Sequence, residues 1–528
     1  MLALRNLLAP RQQLRLRSYT AMAFTYEEAV EKIISTQTNA ATLDQLRKLG
    51  PRMNDRSLPE MRAYFKRIGY EPSDFNKLNM IHVTGTKGKG STSALTQSIL
   101  KHYPSADKPI RTGLFTSPHL VAMRERIRIN GEPISEELFA KYTQDVWERL
   151  ENTKADTLAH IDTDDARQLL RMMREHPDKP AYFRMLNLVA MHAFMQENVD
   201  LAILEVGVGG EYDSTNIIEN PIVCGITALG LDHVNVLGDT IDKIAWHKAG
   251  IIKPNTPVIA FEQVSEAMAV IEQRAQEKNA PLTILHAKDI EHLKDVKVGL
   301  AGVHQQYNAL TAVELCRVWL ERCRGVKLDE AVPEEFKAGL AKVVWPGRGQ
   351  KLDVRDTQYS DKAKDVTYYL DGAHTAESLA VCANWFQETV KEQDNGESGS
   401  RILMFNCTNG RDGPRLLDVI AKIQPEVKFD HVIFTTNVTF RKGYTADTKN
   451  MTVTNADAVA MQKTLADAWK ERQPSFGQDK VHVVPTIEDG VGWIADYSKT
   501  SPQKVQVLTT GSLIMVGNTL TALGVPAQ

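Results

Sequence analysis

Short apolar runs rich in β-branched residues keep alternating with stretches of helical period along this chain, and few architectures accept that order. Strands are expected at 80–84, 201–206, 222–228, 366–370, 402–406, 431–436 and 505–509, and helices at 92–101, 135–150, 183–196, 305–321 and 376–391. Such an order builds βαβ units: parallel sheets covered by helices, with ligand sites at the carboxyl ends of the strands. At 528 residues the chain exceeds what one core can hold. The break falls in "KVVWPGRGQ", residues 342–350, where a helical region ends in Pro346 and two glycines. Two α/β domains are therefore expected, over 25–344 and 345–528. The polar stretches 152–179, 355–364 and 393–401 are expected as surface insertions, because their composition cannot bury a core.

Charge narrows the partners. Sixty-three basic residues against 66 acidic ones leave a net charge of −3, which argues against broad nucleic-acid binding. The five cysteines, Cys224, Cys316, Cys323, Cys382 and Cys407, form no CxxC pair, so neither a disulfide framework nor a zinc site is indicated. No apolar run reaches the roughly 20 residues that span a bilayer, so no stable membrane insertion is expected. Residues 1–24, "MLALRNLLAPRQQLRLRSYTAMAF", carry Arg5, Arg11, Arg15 and Arg17 and no acidic side chain. That is the pattern of an amphipathic mitochondrial transit peptide; the alternative is a basic tail. A second start at Met22 would yield a cytosolic form, so mitochondrial (matrix or inner-membrane) and cytoplasmic locations are both expected.

The stretch "HVTGTKGKGST", residues 82–92, joins the end of a strand to the start of a helix through three glycines and two lysines. Bare main-chain N–H groups and a helix N-terminus around one point suit a phosphate. Lys89 would add a point charge, and Ser91 or Thr92 a hydroxyl for magnesium. The usual spacing G-x-x-x-x-G-K-[ST] fails here: Gly90 stands where the hydroxyl residue should be and Val83 where the first glycine should be. This variant, G-T-x-G-K-G-S, resembles the loop of the Mur ligase superfamily, and "GTKGKGST" resembles that of the folylpolyglutamate synthases within it.

Later motifs extend the resemblance in order to the end of the chain. In "GLFTSPHLVAMRERIRINGEPIS" Ser117 ends a strand, and Arg124, Arg126 and Arg128 alternate with apolar residues, a pattern that by itself reads as the wet face of an edge strand. In "DLAILEVGVGG" an apolar strand runs into Glu205, a carboxylate costly to bury unless paired or bound to a metal. "LDHVNVLGDT" delivers His233, "IAWHKAGIIKP" Lys248, "GVHQQYNALTA" Gln305 and Asn308 one turn apart, "WPGR" Arg348, and "YYLDGAHTAESL" Asp371 and His374. Alone, Lys248 reads as a lysine facing water and "DGAH" as an N-capping aspartate.

The resemblance implies a P-loop-type parallel-sheet ATPase domain followed by a smaller Rossmann-like domain, and an ATP-dependent addition of L-glutamate to the γ-carboxyl of tetrahydrofolate and its polyglutamates. It implies that ATP meets Gly85, Thr86, Gly88, Lys89, Gly90, Ser91, Asn308, Arg348, Asp371 and His374. Two magnesium ions would be held by Ser117, Glu205, His233 and a carbamylated Lys248, with a monovalent cation as a further ligand to look for. Carbamylation needs a neutral amine, hence a pKa lowered by burial from about 10.4. Catalysis would rest on Lys89 and Lys248 without a side-chain nucleophile, in a monomer. Rivals are a dihydrofolate synthase or bifunctional enzyme, a nucleotide-driven switch, and a dinucleotide oxidoreductase, the last weakened by the lack of G-x-G-x-x-G after a strand.

Overall fold

The computed structural model describes residues 23–38, 55–105, 108–153, 176, 178–329, 331–393, 399–407, 411–443, 447 and 459–528. Most of the arginine-rich leader, much of the 152–179 stretch and the centre of the 393–401 stretch lie outside these residues.

Two sheets organise the chain. The first contains β1 (Ile81–Thr84), β2 (Thr112–Phe115), β3 (Ile127–Ile129), β4 (Glu132–Pro133), β5 (Leu201–Glu205), β6 (Val223–Ile226), β7 (Val258–Phe261) and β8 (Leu282–Leu285), in the order β4-β3-β2-β5-β1-β6-β7-β8. Its strands are parallel except at β3 and β4, which pair antiparallel at one edge. Central strands are buried throughout because helices lie on both faces, which is why they read as continuous apolar runs. Helix Lys89–His102 packs against helices Val303–Arg324 and Glu334–Lys342. Leu95, Ile99 and Leu100 of the first are completely buried there, each worth about 1.5–3 kcal/mol of transfer free energy. Helix Tyr182–Gln196 belongs to a second core that also holds Phe115, Leu204 and helix Glu136–Asn152.

Register decides where chemistry can happen. Val83 of β1 lies opposite Glu205 of β5, and Thr84 opposite Ile226 of β6. The turn after β1, the end of β5 and the turn after β6 therefore open at one edge.

The second sheet contains β9 (Gln350–Asp353), β10 (Val366–Leu370), β11 (Ser400–Phe405), β12 (His431–Thr435), β13 (Val481–Val484) and β14 (Val505–Thr510), in the order β13-β12-β11-β14-β10-β9. All its pairs are parallel except β9 with β10. β11 begins inside the stretch expected as an insertion: Ser400 and Arg401 are buried, and Asp430 accepts from the Ser400 hydroxyl at 3.0 Å and the Arg401 amide at 2.9 Å. That pairing makes a polar strand start affordable.

The two halves meet closely. Leu120 and Val121 of the first pack against the core that holds Met515 and Val516 of the last helix, Leu513–Ala522. A Cβ on Gly517 would stand 2.0 Å from the Leu120 carbonyl oxygen, so main chain touches main chain across the seam. Asp447 adds a second bridge, accepting from Met123 N at 2.6 Å and Tyr26 OH at 3.1 Å. The five cysteines form no disulfide, and no helix of the described residues is long and apolar enough to cross a membrane.

Candidate active site

The glycine- and lysine-rich turn leaves β1 at Thr84 and enters helix Lys89–His102, whose N-cap is Gly88 in the left-handed region at φ 87°. The continuation of β6 pins the turn. Thr86 N and Lys87 N both donate to Ala228 O, at 2.9 and 3.0 Å, the Thr86 hydroxyl donates to Gly230 O at 3.0 Å, and the Thr227 hydroxyl donates to Lys87 O at 2.6 Å. The turn is braced from above by helix Val303–Arg324. Thr92 donates to Asn308 Oδ1 at 3.4 Å, Asn308 Nδ2 donates to Gln305 Oε1 at 2.9 Å, and a Cβ on Gly88 would stand 2.2 Å from that same Oδ1. A fixed turn at a helix N-terminus presents N–H groups and the positive end of the helix dipole to an anion.

Two lysines meet at this turn. Lys89 Nζ donates to Gly85 O at 2.9 Å and to Thr86 O at 3.4 Å, and Lys248 Nζ donates to the same Gly85 oxygen at 2.7 Å. Lys248 is only 4% exposed, so the reading of a lysine facing water fails: helix Ile241–Ala249 turns it inward. Burial first, then the charge of Lys89, holds its amine well below the ordinary lysine range, with Asp232 and Asp213 opposing. A neutral amine is what carbon dioxide requires.

Glu205 closes the opposite wall. It is buried, and it accepts from Ser117 N at 3.0 Å. Burial raises its carboxyl pKa, against the pull of Lys89, the Ser117 amide, Arg348 and Arg126. A Cβ on Gly90 would lie 3.5 Å from Glu205 Oε2 and 3.4 Å from the Trp345 indole nitrogen, so turn, carboxylate and the start of the second half converge. A buried carboxylate with one amide donor, beside a hydroxyl residue and a phosphate-type turn, fits magnesium, which takes one or two protein oxygens and fills its octahedron with water and phosphate. Among the described residues no three His, Cys, Asp or Glu side chains gather into a protein-only cage. His233 is exposed, in the left-handed region at φ 51°, with Asp232, Lys89, Lys248 and Arg411 as its charged surroundings.

From the second half come Arg348, Asp371 and His374. Asp371 accepts from Gly349 N at 2.8 Å and Ala373 N at 2.9 Å, which ties "WPGRG" to "DGAH". Arg348 Nη1 donates to Gly347 O at 3.1 Å and lies 3.0 Å from where a Cβ on Gly372 would be. His374 Nδ1 contacts Gly372 O at 3.0 Å, and burial pushes its pKa down to about 4, so the ring is neutral at physiological pH. Arg411 donates to His374 O at 3.0 Å.

The alternating arginines correct the edge-strand reading. Arg126 and Arg128 are 8% and 5% exposed, because a 3-10 turn at Met123–Arg126 folds them under the seam. Arg126 Nε donates to His119 Nδ1 at 2.9 Å, and Arg128 lies over the Trp345 ring at 4.8 Å. Sequence reasoning also passed over Asp213. Its buried carboxylate accepts from Val208 N at 3.0 Å, Thr215 N at 2.9 Å and the Thr215 hydroxyl at 2.6 Å, holding the glycine turn after Glu205. The "DST" after that turn was the available signal, an aspartate placed to cap a short helix.

Residues 350–522 match the family model described as "Dihydrofolate synthetase, C-terminal domain". The chain is 42% identical over 523 residues to the folylpolyglutamate synthase of Neurospora crassa, an alignment covering 96% of this chain and 92% of the relative. Among solved structures it is similar to Mycobacterium tuberculosis folylpolyglutamate synthase complexed with ADP and AMPPCP, at TM-score 0.63 and 24% identity over 94% of this chain and 100% of that one. It is likewise similar to an FPGS–AMPPCP–folate complex, at TM-score 0.60 and 21% identity over 95% of this chain and 100% of that one. At these identities the structural likenesses carry the two-sheet fold.

Proposed function

The chain belongs to the folylpolyglutamate synthase family, and from that premise we propose how its own residues join L-glutamate to the γ-carboxyl of tetrahydrofolate and its polyglutamates with conversion of ATP to ADP and phosphate. The observation that carries the reading is the convergence of the Gly85–Ser91 turn, Lys89, Lys248 and the Glu205–Ser117 pair on one sheet edge, with Trp345 of the second half beside Gly90 and the charge of Arg348 acting on Glu205.

A carboxylate is a poor acyl donor. Its γ-oxygen must first attack the γ-phosphorus of ATP, releasing ADP and giving an acyl phosphate. The turn's N–H groups and Lys89 oppose the charge that spreads over the phosphates during this transfer. Ser117 and Glu205 would hold magnesium, which when bound supplies Lewis-acid charge at the phosphate oxygens. Lys248, whose amine pKa burial lowers, would on carbamylation become an anionic oxygen ligand for a second ion, with His233 reaching in from its exposed turn. Arg348, Asp371, His374 and Asn308 position the nucleotide. The amine of glutamate then attacks the acyl carbon, loses a proton, and phosphate leaves. Engagement of the two halves keeps water from the acyl phosphate. On this reading residues 25–344 hold phosphates and metal, residues 345–528 deliver the amino acid, and a monomer suffices. Import of one form by residues 1–24 and a start at Met22 for another complete the proposal.

Incubating the protein with MgATP, tetrahydrofolate and radiolabelled glutamate should yield lengthened, labelled folates. The family model's dihydrofolate synthetase description favours one rival: glutamylation of dihydropteroate with no lengthening of tetrahydrofolate would put that rival in first place.

A further inference from the structure

Two histidines of the second sheet take no part in the ligation scheme. His431 opens β12 and His482 is the second residue of β13, the parallel strand beside it at the sheet edge. Ile433 is the register partner of His482, and His431 and Ile433 share a face, so both rings project from the same side of the sheet. They lie toward the amino ends of their strands, whereas Asp371 follows the carboxyl end of β10.

His431 Nδ1 and His482 Nε2 stand 3.2 Å apart, and with the ring centroids 5.3 Å apart these nitrogens point inward rather than past one another. Helix Ile487–Thr500 clamps the pair. Its Trp493 ring lies 4.2 Å from that of His482 and 5.0 Å from that of His431, Tyr497 stacks on Trp493 at 5.3 Å, and Ser400 meets Tyr497 hydroxyl to hydroxyl at 2.9 Å. Neither imidazole has another side-chain hydrogen bond among the described residues.

Two imidazole nitrogens at about 2.0–2.1 Å from one tetrahedral zinc ion stand about 3.3–3.4 Å apart. The observed 3.2 Å meets that spacing without moving either strand. Burial lowers the pKa of both rings, so each is neutral at physiological pH, the form that binds a metal. Asp479 acts on both rings and Asp430 on His431, against Lys480, so the surroundings favour a cation.

We propose that His431 and His482 form a zinc site on the outer strand pair of the second sheet, and that the ion staples edge strand β13 to β12. Among the described residues no third His, Cys, Asp or Glu joins them, which leaves the other two positions of the tetrahedron to water. In the metal-free pair one facing nitrogen carries the proton it donates to the other. On binding, that proton shifts to the far nitrogen of the same ring, and both facing lone pairs go to the ion. Magnesium prefers oxygen and does not compete here.

The test titrates the full chain with ZnCl2 in excess MgCl2, by calorimetry and by thermal denaturation, as wild type, His431→Gln and His482→Gln. The wild type should bind one zinc ion more than either variant, or bind it at least about tenfold more tightly, since disturbing even an outer-shell partner of a metal ligand costs about 10–100-fold. Zinc should also raise Tm further in the wild type than in the variants. In wild-type crystals soaked in ZnCl2 an anomalous peak should lie between the two rings, a measurement that stands even if a variant fails to fold. Zinc affinity within about twofold in all three proteins at equal stoichiometry, or soaked crystals with no peak between the rings, would overturn the proposal. Either result leaves the ligase reading untouched.

Discussion

Gly88→Ala loads two separate costs onto the phosphate turn. At φ 87° an L side chain occupies the left-handed region, a penalty of about 1–2 kcal/mol. Its Cβ would also stand 2.2 Å from Asn308 Oδ1, so that oxygen must retreat. Asn308 is buried and bonded to Thr92 and Gln305, and breaking those bonds inside the protein costs about 1–3 kcal/mol. Together the strain is about 2–5 kcal/mol, concentrated on the turn rather than spread over the fold. Since about 1.4 kcal/mol is a factor of ten, nucleotide affinity should fall at least tenfold. Titration calorimetry with MgADP measures this directly, with circular dichroism as the check on folding. Gly88→Ala combined with Asn308→Ala removes the collision but keeps the φ penalty, so the double variant should bind better than the sum of the single losses allows. Affinity of Gly88→Ala within about twofold of wild type, or a strictly additive double variant, would refute the reasoning.

Glu205→Gln should preserve the shape of the buried site and abolish magnesium-dependent ligation. The folded protein holds the Glu205 proton more tightly than the unfolded chain does, so this group's contribution lowers stability as pH rises from the ordinary carboxylate pKa to the raised one. Glu205→Gln should flatten that fall in a chemical denaturation series, and an unchanged pH slope would count against it. Lys248→Met has the opposite sign. The folded state sheds that proton at lower pH than the unfolded chain, so stability rises with pH between the depressed pKa and the ordinary one. The variant should lose ligation and that rise together, and near-normal turnover would remove Lys248 from the chemistry. Lys89→Ala should cut ligation by more than about a hundredfold, two lost charge-assisted contacts' worth, while the fold persists; modest loss in steady-state assays would take Lys89 off the phosphates.

The fold was largely legible because parallel strands buried on both faces leave long β-branched runs. β10 begins and ends where its apolar run does, at Val366 and Leu370. Polarity hid the rest. β11 starts two residues before its apolar run because Asp430 satisfies Ser400 and Arg401, a partner nearly 30 positions away in sequence. Helix Lys89–His102 starts three residues before the expected Thr92, since Gly88 supplies a left-handed cap that propensity scores as a break. At the site, glycine spacing announced the turn and the apolar run announced Glu205, but Arg126 and Arg128 alternate like solvent-facing residues. Their burial depends on Trp345 and His119, and contacts between distant parts of a chain leave no periodic trace.

At Leu120 and Gly517 the two halves touch through main chain, with no side chain between them that could swing aside. Rocking of the second half must therefore carry Leu120 with it. Three residues upstream, Ser117 grips Glu205 through a single N–H. The seam thus works as an interlock: the buried carboxylate is held in register only while the halves are seated, and any residue bulkier than glycine at position 517 would act as a wedge that leaves the machine assembled but permanently ajar.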